Sequence, residues 1–169
     1  MSTKLLSSRR CVAAAVALAL LGTTGGVLAQ QADARPVLRI HGPQGDSTQA
    51  VQWQPQDIVL RGAGKPGISS ASLVGNAAEP GLYLVRVRME PGTANAAHTH
   101  PDARITTIMS GTIYYGIGRV ADLAHARPFG AGSVYFTPPN TPHFLITTDA
   151  AAVYEEAGVG PSRSVPVAP

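Results

Sequence analysis

Residues 92–111 read GTANAAHTHPDARITTIMSG, and residues 132–143 read GSVYFTPPNTPH. Three of the chain's five histidines fall in these stretches: His98, His100 and His143. On a strand, residues two apart share a face, so His98 and His100 present both imidazoles to one side. A third histidine from a neighbouring strand would complete a three-nitrogen face. Neutral imidazole suits Zn, Cu, Fe and Ni. An H-x-H pair alone is a weak signal; its surroundings strengthen it. Pro138-Pro139-Asn140-Thr141-Pro142 reads as a turn that delivers His143.

The flanking sequence reads as short strands. In Leu82–Met89, Tyr83, Val85, Val87 and Met89 fall on one face, with Arg86 and Arg88 on the other as a solvated face or a dimer contact. Pro91-Gly92 is a turn. Ile105–Ser110 and Thr112–Ile117, joined at Gly111, predict a hairpin. Ala121–Arg127 predicts a short helix with Asp122 in its first turn. Ser133–Thr137, His143–Thr148 and Ala152–Glu156 predict further strands. The 18 Gly and 14 Pro among 169 residues favour a turn-rich, all-β body over a helical bundle. No repeat of solenoid period is present. The pattern predicts a single-domain sandwich or small barrel.

The ends read differently. Lys4, Arg9 and Arg10 precede an apolar run from Cys11 to Leu21, and Val27-Leu28-Ala29 follows as a small-x-small site. That pattern predicts a cleaved secretory signal over 1–29 and a periplasmic or secreted protein. Ser8-Arg9-Arg10 also looks like a twin-arginine signal, so the export route stays open. The run is too short for a stable membrane anchor. Without residues 1–29, ten basic face ten acidic residues, so the net charge of +3 belongs to the targeting segment. It is no nucleic-acid footprint. The single cysteine, Cys11, leaves with that segment, so no disulfide is expected. Residues 30–50 read as a flexible lead with one short strand at Val37–Ile40, 51–160 as the domain, and 161–169, with three Pro, as a disordered tail. Trp53 reads as a core or lid aromatic, and His41 and His125 as loop or surface residues. The tyrosines and phenylalanines read as core more than pocket.

The two histidine blocks resemble the two sequence motifs of the cupin superfamily. The first motif runs Gly92, His98-x-His100 and Gly111; the second runs Gly132, Pro138, Asn140 and His143. The resemblance covers roughly residues 72–158. It implies an all-β jelly-roll barrel with a short helical insert, and His98, His100 and His143 as ligands of a divalent metal. Fe, Mn, Ni, Cu and Zn are not distinguished. Two positions depart from the family pattern. Arg104 and Ile105 stand where an acidic ligand is usual, and Asn140 replaces a glycine, although Asn tolerates a positive φ. Asp102, Glu155 or Glu156 are candidates to replace the acid; otherwise water completes a three-histidine site.

Three-histidine sites occur among cupin dioxygenases. A site lacking the carboxylate is one unit more positive and favours an anionic partner. The expectation is therefore a metal-dependent dioxygenase-type enzyme acting on a small anionic organic substrate. Lyase or isomerase chemistry on the same metal is an alternative, and so is a non-catalytic periplasmic binding or sensing module. No general acid or base is evident beside the histidines. Arg104 has two readings: inward, anchoring a substrate carboxylate, or outward, solvated or paired with Asp102. Dimers are common among proteins resembling this chain, which leaves a homodimer open.

Overall fold

The computed structural model describes residues 50–169, together with the backbone of His41–Gly42 and Gly45–Asp46. The expected signal segment, the strand at Val37–Ile40 and most of the lead lie outside the described residues. Among the described residues, no helix is long and apolar enough to cross a membrane.

Two antiparallel sheets carry the domain. One orders β10 (Val134–Thr137), β7 (Arg104–Ser110), β12 (Ala152–Gly160), β5 (Gly81–Met89), β4 (Ile68–Val74) and β3 (Arg61–Gly62). The other orders β13 (Val165–Pro166), β6 (Ala94–Thr99), β11 (His143–Ile146), β8 (Thr112–Ile117) and β9 (Arg127–Gly130). The short strands β1 (His41–Gly42) and β2 (Gly45–Asp46) pair with each other. The strand pattern predicts a sandwich or small barrel, and the two sheets form the jelly roll that the resemblance implies.

Period two fills the interior in layers, because neighbouring strands stay in register. Met89 lies across from Ala152. Tyr154 lies across from Val87 and Ile108. Next come Val85, Glu156 and Thr106, and then Tyr83, Gly158 and Arg104. One end of each strand is apolar, and there Met89, Ile108 and Tyr154 join Ile113, Tyr115 and Leu145 in the core. The other end is polar and buried. The same three strands thus build the core and one wall of the site.

Two expectations are corrected, and the short helical insert is narrowed. Ile105–Ser110 and Thr112–Ile117 are strands but not a paired hairpin: β7 and β8 belong to different sheets. Gly111, with φ of 72°, turns the corner between them, and a Cβ there would lie 2.3 Å from the Ala151 carbonyl oxygen. A single linking residue redirects the chain rather than folding it back into a two-residue turn. The helix at Ala121–Arg127 is one 3-10 turn, Leu123–His125, capped by the Asp122 side chain. The tail is ordered: β13 pairs with β6, and the Ser162 N–H donates to the Ala77 carbonyl at 2.6 Å. Pro166 is tolerated because β13 is an edge strand.

Trp53 donates Nε1–H to the Leu73 carbonyl at 2.7 Å. It lines a recess with residues of β4 that contains none of the three histidines, so it is no lid over them. His125 is exposed and bonded to Asp122.

Candidate metal centre and its cavity

His98 on β6 and His143 on β11 are direct cross-strand partners. His100 follows just beyond β6. Their ring centroids lie 4.5 Å apart for His98 and His143, 4.8 Å for His98 and His100, and 5.4 Å for His100 and His143. All three residues are buried. The turn before His143 docks on the first motif: Asn140, with φ of 57°, donates its N–H to the His100 carbonyl at 2.7 Å.

Each ring is held through Nδ1. Backbone carbonyls accept from it at 2.7 Å (Ala96 to His98), 2.9 Å (Arg163 to His100) and 2.8 Å (Thr141 to His143). A carbonyl only accepts, so Nδ1 carries the proton and Nε2 keeps its lone pair. One ligand atom from each ring lies within 4.8 Å of the other two, and no carboxylate joins the group among the described residues. Burial is the largest cause that pushes the imidazoles down, His98 to about 4 and His100 to about 3, with His143 also lowered. The Arg104 charge pushes all three the same way. Three neutral imidazoles with fixed tautomers and converging lone pairs fit a divalent first-row metal. The Arg163 carbonyl is a part of this shell that the sequence reading missed, because it lies in the segment expected to be disordered.

His98 and His100 also line a cavity of about 420 Å³ with Arg104, Glu156, Lys65 and the apolar side chains of Ile68, Val85 and Val87. Arg104 points inward, as period two along β7 requires with Thr106 and Ile108. It is also paired. Nη1 donates to Glu156 Oε2 at 2.9 Å and Nη2 to Ser162 Oγ at 2.6 Å. Nε lies 3.5 Å from Asp102 Oδ2 without a hydrogen bond. Arg104 thus points inward rather than outward, and the acid that it bonds is Glu156, with Asp102 alongside.

The candidate acids have other partners. Asp102 accepts hydrogen bonds from Tyr83 and Ser162. Burial pushes its carboxyl up, but those two bonds and the Arg104 charge bring it below its ordinary value. Gly158 makes room for this contact, since a Cβ there would lie 2.4 Å from the Tyr83 hydroxyl. Glu155 faces outward and binds Arg86 at 2.5 Å. Glu156 faces the cavity, where burial raises its carboxyl above the ordinary range and Arg104 opposes the rise. The sequence reading weighed Glu156 as a ligand; the structure makes it a buried carboxyl near the triad instead.

The model of the family described as Cupin domain matches residues 85–154. Residues 85–154 form a cupin domain. This cupin matches no curated protein in sequence. Its fold is similar to a polyketide cyclase, RemF, from Streptomyces resistomycificus, at 17% identity and a TM-score of 0.56 over 71% of this chain and 88% of that one. An RmlC-like cupin from Shewanella frigidimarina gives 13% identity and a TM-score of 0.54 over 66% and 91%. A salicylate 1,2-dioxygenase from Pseudoaminobacter salicylatoxidans gives 15% and 0.50 over 59% of this chain and 29% of that one. At these identities the likeness concerns the fold, and one fold hosts many reactions.

Proposed function

We propose that this cupin is an exported metalloenzyme acting on a small anionic organic molecule, most simply as a dioxygenase. His98, His100 and His143 would hold the metal. The observation that carries the proposal is the set of three buried imidazoles, each with Nδ1 bound to a carbonyl, beside a cavity of about 420 Å³. A divalent metal there supplies Lewis acidity and, if redox-active, electrons for oxygen chemistry. The protein's own residues supply the rest. No carboxylate joins the three histidines among the described residues, and Lys65 in the wall has no acidic partner there, which favours an anionic substrate. Ile68, Val85 and Val87 pack against its hydrocarbon part. Glu156 answers the sequence's lack of an acid or base: it is a buried carboxyl whose raised proton affinity suits proton exchange with a bound molecule. Arg104 positions it.

Glu156 also favours a second reading, lyase or isomerase chemistry, which needs a proton carrier and no oxygen. The test is elemental analysis of natively exported protein, followed by oxygen uptake with a panel of small carboxylic and enolic acids. A redox-active metal with substrate-dependent uptake supports the dioxygenase. Bound zinc with product formed in the absence of oxygen supports the lyase or isomerase. Saturable binding without turnover on either metal refutes the enzyme and leaves a binding module.

A further inference from the structure

Three cationic residues line the inner cavity: Lys65, Arg104 and Arg163. Arg104 is committed to Glu156, Ser162 and Asp102. Arg163 holds His100 through its backbone carbonyl. Lys65 is different. Its Nζ donates to Asn95 Oδ1 at 2.6 Å, a neutral partner, and no carboxylate pairs with it among the described residues. An ammonium has three donors, so the rest of its capacity stays available; Glu156 feels its charge across the cavity but forms no ion pair with it.

Its position is fixed. Lys65 sits in the turn between β3 and β4, where Gly64 and Gly67 have φ of 72° and 71°. The Gly67 carbonyl accepts from the Glu90 N–H at 2.8 Å. A Cβ on Gly67 would lie 2.4 Å from Thr93 Oγ1, so this turn is seated against the approach to β6. A second recess, of about 680 Å³, opens beside the inner cavity, and Lys65, Asn95, His98 and Ser164 line both. Lys65 therefore stands at the passage between the recess and the histidines. Ile68, Val85 and Val87 give the same cavity an apolar wall.

We infer that Lys65, oriented by Asn95, is a second anchoring point for the substrate, which makes the preferred ligand a short dianion such as a dicarboxylate. One acidic end meets Lys65, the hydrocarbon middle lies on the apolar wall, and the other end reaches the histidine centre. The inference deepens the proposed function and rests on it for the second of these anchors. A partly desolvated, unpaired cation gains most from an anion, and a charge-assisted bond fixes which end of the ligand it holds.

The test is titration calorimetry of the zinc-loaded full chain with glutarate and with butanoate, for the wild type, Lys65→Gln and Lys65→Arg. Lys65 is exposed at this turn, and the β-sheet circular-dichroism signature of each variant checks that it folds. Glutarate binding at least tenfold tighter than butanoate, with that preference lost in Lys65→Gln and largely kept in Lys65→Arg, supports the assignment. Equal binding of the two acids, binding of neither, or a preference that survives in Lys65→Gln overturns it. Failure to load zinc refutes the metal reading separately. The same titrations on metal-free protein then decide: glutarate binding that depends on Lys65 supports the anchor, and binding that is absent or indifferent to Lys65→Gln overturns it.

Discussion

Replacing Arg104 with Met tests whether the site wall is held by a buried ion pair. Arg104 and Glu156 are 8% and 9% exposed, and their charged atoms lie 2.9 Å apart. At an effective dielectric of about 20, unit charges at that separation attract by roughly 6 kcal/mol before desolvation is subtracted. Removing one partner of such a pair leaves the other buried and uncompensated, at a cost of about 3–5 kcal/mol. Ser162 loses a donor in the same step. Urea unfolding at pH 8, with m of about 1–3 kcal/mol/M, should show the midpoint fall by roughly 2 M. The deficit should depend on pH. Burial already holds Glu156 above its ordinary value of 4.5, and Arg104 limits the rise. Without Arg104 the folded value climbs further. The folded variant then binds more protons than the unfolded chain, so its stability falls as pH rises from about 4.5 toward that value. The loss should be smallest near pH 5 and largest near pH 8. Arg104→Met with Glu156→Leu removes both charges and should recover most of it. A single variant within about 0.5 kcal/mol of wild type at pH 8, or a double variant as unstable as the single one, would refute the reasoning.

Further outcomes follow from the same structure. In metal-free protein, burial holds His98 at about 4 and His100 at about 3, against 6.5 when unfolded. The unfolded chain therefore takes up protons first as pH falls below about 6.5, and stability should drop, for His98 alone by roughly 3 kcal/mol once pH is below its folded value. Urea midpoints from pH 7.5 to 3.5 check this, and His98→Gln should flatten the curve. Gly158→Ala places a Cβ 2.4 Å from the Tyr83 hydroxyl and 2.8 Å from Asp102 Oδ2, so thermal unfolding should show a loss of about 1–3 kcal/mol. Truncation after Pro161 removes the Arg163 carbonyl from His100 and Ser162 from Asp102 and Arg104. Metal affinity, read by competition with a chelating dye, should fall about 10–100-fold.

The histidines were legible because their chemistry is written in spacing. A two-residue interval on a strand sets His98 and His100 together, and a proline-bounded turn marks His143. Period two likewise marks the inward face of β5, with Tyr83, Val87 and Met89 buried. It does not say which strand pairs with which, so the corner at Gly111 read as a hairpin when its two strands enter different sheets. Proline content suggested disorder for the tail, but an edge strand accepts Pro166 and ties the tail to β6. The pairing of Arg104 with Glu156 joins residues 52 apart in sequence. It depends on the register of β7 against β12, which no local pattern encodes. Lys65 stands among Gly62, Gly64, Pro66 and Gly67, a composition that marks only a turn. Its place at the cavity follows from the seating of Gly67 against Thr93.

The central claim is a metal on three histidines. Its most direct test is metal content per chain by elemental analysis of natively exported protein, with His98→Ala, His143→Ala and Lys65→Gln purified in parallel. The account predicts about one divalent metal per chain in the wild type and in Lys65→Gln, and a loss of it in both histidine variants that keep the β-sheet circular-dichroism signature. Metal-free wild type that takes up no added Fe, Mn, Ni, Cu or Zn, or histidine variants that retain the wild-type content, would contradict it.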